Sequence, residues 1–144
     1  MSERGFTLVE LLVVIVIIGI LGAIAIPAFL NQQQKGNDVS AKSDAKYLAF
    51  AVESCNVETE DYSQCDSQTK LGSSLSISYG TGPGQVSVES ATKRSFKVVA
   101  LSTASTSGTY HRFEITKNQN GTTDRTCSTG GAGDTGGGCH GGTW

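Results

Sequence analysis

One carboxylate near the start of a long apolar run is the residue whose type and position point most clearly to chemistry. Glu10 stands early in RGFTLVELLVVIVIIGILGAIAIP, residues 4–27. A carboxylate in a membrane costs roughly 2.5–3.5 kcal/mol on insertion scales, so an acid in such a segment is a functional candidate. In apolar surroundings a counter-charge attracts it strongly, and an unpaired acid is costly. The chemistry that suits Glu10 is therefore ion pairing.

Cysteines and histidines are the other candidates. The cysteines are Cys55, Cys65, Cys127 and Cys139. An even number in a polar, Gly-rich region that follows a membrane-directed segment predicts two disulfides. Of the three pairings we favour Cys55–Cys65 with Cys127–Cys139, because each closes a short loop. The alternative is a zinc site with His111 or His140, which is disfavoured because no C-x-x-C or H-x-x-x-H spacing occurs.

Enzyme motifs are missing from the sequence. It contains no G-x-S-x-G and no H-E-x-x-H, and its C-terminal glycine run lacks the Lys of a phosphate loop. We expect no enzyme, and no catalytic, cofactor-binding or metal-binding residue. A net charge of -2 over 144 residues argues against a duplex nucleic-acid binder. A DNA-binding module remains an alternative because of a local basic cluster. Its members are Lys93, Arg94, Lys97 and Arg112.

The element that must position Glu10 is a membrane-spanning helix. No charged residue occurs from Leu11 to Leu30, and twenty residues at ~1.5 Å each match a hydrocarbon core of about 30 Å. Arg4 and the amino terminus give a slight positive-inside bias, so the remainder of the chain should face outward. The alternative is a secretory signal peptide cleaved after AIA, residues 23–25; Glu10 and Pro27 count against it.

The helix should continue beyond the membrane with an apolar stripe on one face. The stripe consists of Ala41, Ala45, Leu48, Ala49 and Val52. Its helical spacing predicts packing against a sheet. Alternating apolar residues predict about four antiparallel strands, near residues 75–79, 86–88, 96–100 and 111–115. Turn signals separate these runs.

The glycine-rich C-terminal segment needs an anchor to be ordered. Eight glycines follow Cys127, and Cys139 is the residue that would pin them. Trp144 is expected to dock on the sheet edge; a free tail is the alternative.

The N-terminal run resembles the class III leader and first helix of type IV pilins and pseudopilins. Gly5 matches the glycine before the cleavage point, and Phe6 the N-methylated first mature residue. Glu10 matches the glutamate fifth in the mature chain, and Pro27 the helix-interrupting proline. The resemblance implies that Glu10 pairs with the Phe6 amine of a neighbouring subunit, and that the helix kinks near Pro27.

The same resemblance implies an α+β pilin fold. It has a cleaved leader at residues 1–5, a transmembrane and filament-core helix at 6–30 and an amphipathic continuation at 31–55. A head at 56–144 carries a small antiparallel sheet and a disulfide-bounded C-terminal loop. In this fold the long helix is a spine, half transmembrane and half amphipathic, packed on the sheet.

The implied function is a structural subunit of a type IV pilus filament, namely the major pilin. A minor pilin that binds DNA or a surface, or a pseudopilin of a type II secretion system, is the alternative. The implied partners are identical subunits, a prepilin peptidase, a membrane platform protein and, indirectly, assembly ATPases. The precursor would sit in the cytoplasmic membrane with its N-terminus inside, before joining an extracellular pilus.

Overall fold

The computed structural model describes residues 5–72, 75–131, 133 and 136–144. Of the predicted leader, only Gly5 is among them, and the rest lies outside the described residues. The chain divides into two compact units, residues 1–33 and 34–144. We call these the N-terminal unit and the head unit.

Helix α1 runs from Leu8 to Thr59 and contains Pro27. In the N-terminal unit its large apolar side chains are solvent-exposed, with exposed fractions from 46% to 85% between Phe6 and Leu30. A window of 18 residues in α1 has a mean hydropathy of 3.0 and no buried residue. By length and composition this part of α1 is able to cross a membrane.

The helix ends later than the sequence predicts. Our predicted end was residue 55, followed by a loop, but α1 continues to Thr59. Glu60 then adopts a left-handed conformation (φ 57°), and its amide donates to the Asn56 carbonyl at 2.7 Å. This is a helix C-terminal stop, usually made by glycine. A 3₁₀ turn at Tyr62–Cys65 and a short helix α2 at Gln68–Leu71 follow.

Four antiparallel strands form one sheet in the order β1-β2-β3-β4. They are β1 Val86–Ala91, β2 Phe96–Thr106, β3 Thr109–Lys117 and β4 Thr123–Ser128. Successive strands pair through hairpins. Turn signals at residues 105–108 and 120–121 predict the second and third of these hairpins, and no turn signal was identified for the first.

The core of the head unit lies between the α1 stripe and one face of this sheet. The five predicted stripe residues are buried, and Leu48 and Val52 are fully so. Val98 and Phe113 supply the facing side chains. Three of the five stripe residues are alanines, which allow the sheet to approach the helix closely. The predicted α+β architecture, a long helix packed on a small antiparallel sheet, is confirmed.

One predicted strand is wrong and one strand was missed. Residues 75–79 make only a bridge, in which Tyr79 pairs with Val86. The fourth strand is β4, whose sequence TDRTCS shows no apolar alternation. The physical reason is that β4 is an edge strand with only Cys127 buried, so burial imposes no pattern on it.

Short segments cover both edges of the sheet. On the β1 side, the Val86 amide donates to the Ser78 carbonyl at 3.0 Å. On the β4 side, the Cys127 amide donates to the Gly142 carbonyl at 2.8 Å, and Trp144 Nε1 donates to the Thr126 carbonyl at 2.9 Å. Covered edges offer fewer free amides to another strand. The expected docking of Trp144 is confirmed.

Two disulfides close the head unit, and both have the favoured pairing. Cys55–Cys65 joins the last turns of α1 to the 3₁₀ turn. Cys127–Cys139 joins β4 to the C-terminal segment.

Removing the second disulfide tests its share in stability. The pair Cys127→Ser with Cys139→Ser should lower the unfolding free energy by about 2–4 kcal/mol, since the loop becomes unconstrained in the unfolded chain. Thermal unfolding of the full chain in detergent, followed by circular dichroism, measures this. Ser128→Ala, a small change next to Cys127, is the control. An unchanged melting temperature in the double variant would show that the bond contributes nothing.

Candidate functional site

Glu10 and Thr7 form a reciprocal set of hydrogen bonds at the start of α1. The Thr7 amide and hydroxyl both donate to Glu10 Oε2, at 2.9 and 2.7 Å. The Glu10 amide in turn donates to Thr7 Oγ1 at 3.3 Å. This is a capping box, in which Thr7 is the N-cap and Glu10 the third helical residue. The T-x-x-E spacing of residues 7–10 is a recognised sequence signal for a capping box, although the predictions above do not include it.

The surroundings of Glu10 are apolar. Its neighbours in sequence include Phe6, Leu8 and Leu11, and each of these residues is more than 60% exposed. Among the described residues, no cation lies within ion-pair distance of the Glu10 carboxylate. Its described partners are the groups of Thr7, which satisfy hydrogen bonds but not charge.

Gly5 precedes this site and is not required by the packing. A Cβ built on Gly5 would meet no atom within 4 Å. No contact with a described atom therefore demands glycine at this position.

Pro27 lies within α1, and the helix is assigned on both sides of it. The proline lacks an amide hydrogen, so the helix loses one backbone hydrogen bond there. The predicted kink at Pro27 stays a prediction.

A ring of four charges occupies the outer face of the sheet, away from α1. Lys97 Nζ lies 3.5 Å from a carboxylate oxygen of Glu89 and 3.5 Å from one of Glu114. Arg112 Nη2 donates to Glu89 at 2.5 Å, and Arg112 Nε donates to Glu114. Two members of the predicted basic cluster are thus neutralised by neighbouring acids. The DNA-binding alternative keeps only Lys93 and Arg94.

The ring changes how its carboxylates titrate. Hydrogen bonding from Arg112 lowers the pKa of Glu89, and the charges of Arg112 and Lys97 add to this. Burial acts to raise the pKa of Glu114, but the hydrogen bond and charge of Arg112, with Lys97, outweigh it and lower this pKa too.

His111 is a buried structural residue. Its Nδ1 lies 2.9 Å from Asp38 Oδ2, and its Nε2 lies 2.8 Å from Thr106 Oγ1. Both members of the Asp38–His111 pair are almost fully buried, and breaking such a pair is costly. Within the described part of the chain, no group of three or more His, Cys, Asp or Glu side chains is arranged to hold a metal ion.

Comparison with known proteins identifies the N-terminal segment. The family model for the prokaryotic N-terminal methylation motif matches residues 1–26. The type IV major pilin protein PilA of Myxococcus xanthus is 48% identical over 61 residues, which are 42% of this chain and 28% of PilA. A fimbrial protein of Pseudomonas aeruginosa is 35% identical over 92 residues, 60% of each chain. The N-terminal segment therefore carries the prokaryotic N-terminal methylation motif and is similar to that of type IV pilins and fimbrial proteins.

A secretion-system protein is similar to the chain over a comparable number of residues. The type II secretion system core protein G of Escherichia coli is 37% identical over 61 residues, 42% of each chain. The matched part of the chain spans between 28% and 60% of the length of these three relatives. No solved structure is significantly similar to it.

The pH dependence of stability tests the charge ring. Carboxylates with lowered pKa stabilise the fold above the ordinary Glu pKa of 4.5, and this contribution is lost as pH falls through the lowered values. We expect Arg112→Met to remove most of this dependence. The difference in unfolding free energy between the wild type and the variant should therefore shrink on acidification. Urea unfolding of the full chain in detergent at pH 7 and at about pH 3 measures the gap. A gap that is constant with pH would contradict the assignment.

Proposed function

We propose that this chain is a structural subunit of a type IV pilus filament, and specifically its major subunit. It is not an enzyme in this proposal. The observation that carries the proposal is the Glu10 carboxylate, held by Thr7 at the start of a helix whose apolar side chains are exposed. Such a helix needs either lipid or other apolar helices around it.

Cleavage after Gly5 supplies the missing counter-charge. The new amino group of Phe6 is a cation, and Phe6 directly precedes the capping Thr7. In the filament, Glu10 of one subunit pairs with the Phe6 amine of a neighbour. In apolar surroundings this pair is attractive, and a misplaced subunit leaves a charge unpaired. The pair therefore sets the register of subunits.

The life cycle follows from this pairing. The precursor spans the cytoplasmic membrane through residues 6–30, with its N-terminus inside and its head outside. A prepilin peptidase cuts after Gly5 and methylates Phe6. A platform protein and, indirectly, cytoplasmic ATPases then transfer the subunit into a filament of identical copies.

A major pilin and a pseudopilin are related structural subunits, but they belong to different assemblies. The similarity to the type II secretion system core protein G favours a pseudopilin as the second candidate. Electron microscopy of material sheared from cells separates the two: a major pilin is the main component of long surface filaments. Type II secretion that fails when the chain is deleted, without surface filaments in the wild type, would support the pseudopilin.

Replacing Glu10 by Gln separates charge from capping. Gln at the third helical position still completes a capping box, so Glu10→Gln removes the charge and keeps the helix start. We expect its filament yield to fall by more than about tenfold, the equivalent of 1.4 kcal/mol. Sheared filaments quantified by immunoblot measure this.

Thr7→Val is the matched control. It removes the capping hydroxyl and leaves the carboxylate, so its filament yield should stay near that of the wild type. Equal yields from Glu10→Gln and wild type, or loss of filaments with Thr7→Val alone, would show that the charge of Glu10 is not what directs assembly.

Gly5→Val tests the cleavage site. Because a Cβ at Gly5 meets no atom, the variant should fold and insert normally, yet remain uncut because the peptidase requires glycine there. Mass spectrometry should find a methylated Phe6 N-terminus in the wild type and intact precursor in the variant. Normal processing of the variant, or a wild-type chain that starts at residue 26, would overturn the assignment.

A further inference from the structure

A group of cations surrounds the indole ring of Trp144 in the head unit. The ring is fixed in place, since Nε1 donates to the carbonyls of Thr126 at 2.9 Å and Glu114 at 3.3 Å. The charged atoms of three side chains lie 5.4–5.7 Å from the ring centroid. These side chains, which we call the cationic patch, are Lys42, Lys46 and Arg125.

Among the described residues, no acidic side chain forms an ion pair within 4 Å with the cationic patch, although the buried Asp38 carboxylate acts on Lys42 through its charge. Lys42 donates to the Gly137 carbonyl at 2.5 Å. Across the described residues, neither Lys46 nor Arg125 forms an ion pair within 4 Å. Attraction to an aromatic face compensates an exposed cation only weakly. Three like charges held around one ring therefore favour an anionic partner from outside the chain.

The same chain carries an acidic patch of matching character. It consists of Glu58 in the last turn of α1 and of Glu60 and Asp61 directly after the helix. In the described ranges none of the three is ion-paired. The charges of Lys93 and Lys70 act on Asp61, so Glu58 and Glu60 are the most available of the three. Both are exposed.

The two patches are too far apart to meet within one chain. Lys46 and Glu58 both belong to α1, and a rise of ~1.5 Å per residue places them about 18 Å apart along its axis. They are different surfaces, so a contact between them joins two copies head to tail. A heterologous contact of this kind leaves one free patch at each end and generates an open assembly when it does not close into a ring.

We propose that the cationic patch of one copy docks on the acidic patch of a second copy, with the two heads offset by about 18 Å along α1. This contact rests on the proposed filament function and adds to it an interaction between the head units of neighbouring subunits. Its charge complementarity fixes the axial position of neighbouring heads, a role that charge pairs at interfaces commonly serve.

A charge swap tests the contact in the full chain. Lys46→Glu and Glu58→Lys should each lower the yield of sheared filaments by about fivefold at low salt, the upper range for exposed ion pairs. The double variant should recover most of the loss. The differences should fade in about 0.5 M salt, because screening shortens the range of these charges to a few ångströms.

Lys35→Glu is the matched control, since it makes the same charge change at an exposed position of the same helix. Three outcomes would each overturn the contact. The first is a loss of filament yield with Lys35→Glu equal to that with Lys46→Glu, and the second is a wild-type yield from both single variants. The third is a double variant in which the two losses simply add. The Glu10→Gln result is independent: normal assembly there overturns the filament proposal even if the swap behaves as expected, and the inference falls with it.

A polyanion is the competing occupant of the cationic patch. The probe is a fluorescent single-stranded oligonucleotide titrated into the detergent-solubilised chain. No measurable binding at low salt supports the contact between copies. Binding that Lys46→Glu removes, together with unchanged filament yield in that variant, would assign the patch to nucleic acid and overturn the proposal.

Discussion

The exposed apolar surface of residues 6–30 is the constraint on which the rest of this molecule depends. Water disfavours such a surface strongly, at roughly 25 cal/mol per Å². The helix consequently has only two stable environments, a lipid bilayer and a bundle of similar helices. A protein that moves between these environments needs a signal that distinguishes them. A carboxylate that lacks a counter-charge in one environment and gains it in the other is such a signal.

The head unit has few apolar residues to bury, so its stability needs contributions besides the apolar core. Its core rests on a five-residue stripe of α1 and one face of a four-stranded sheet. Two disulfides close the segments that flank this core, and Trp144 caps the sheet edge. Small domains commonly add covalent bonds when burial alone is insufficient. Here one bond joins the end of α1 to the 3₁₀ turn, and the other joins β4 to the C-terminal segment.

Patterns of local periodicity predict the elements that burial controls. The stripe of α1 and strands β2 and β3 follow from apolar spacing, because each has one face in the core. The disulfide pairing follows from loop length. Strand β4 does not follow, since an edge strand with only Cys127 buried carries no alternation. Nor does the Asp38–His111 pair, because the two residues are 73 positions apart and no local pattern connects them.

The helix start shows a different kind of omission. Thr7 and Glu10 satisfy the capping-box spacing in the sequence itself, yet the sequence-based prediction treats Glu10 only as an isolated charge. The two roles are compatible, because a carboxylate bound to Thr7 still has lone pairs for a cation. Glu10 shapes its own helix and, in the proposed filament, also pairs with another chain, so a different side chain of similar size meets only one of these two requirements.

The Gly-rich segment near the C-terminus has an unexpected relation to the buried pair. A Cβ on Gly137 would collide with the Asp38 carboxylate, and φ is 61° at that position. The main chain itself thus forms the lid over a buried acid. A loop of this kind tolerates replacement at outward positions such as Gly141, where a Cβ meets nothing, although its positive φ of 57° still limits the choice. Sequence variation among related proteins should therefore spare inward-facing glycines such as Gly137 and accumulate at outward positions such as Gly141. The exposed surface of the segment can then change without disturbing the buried Asp38–His111 pair.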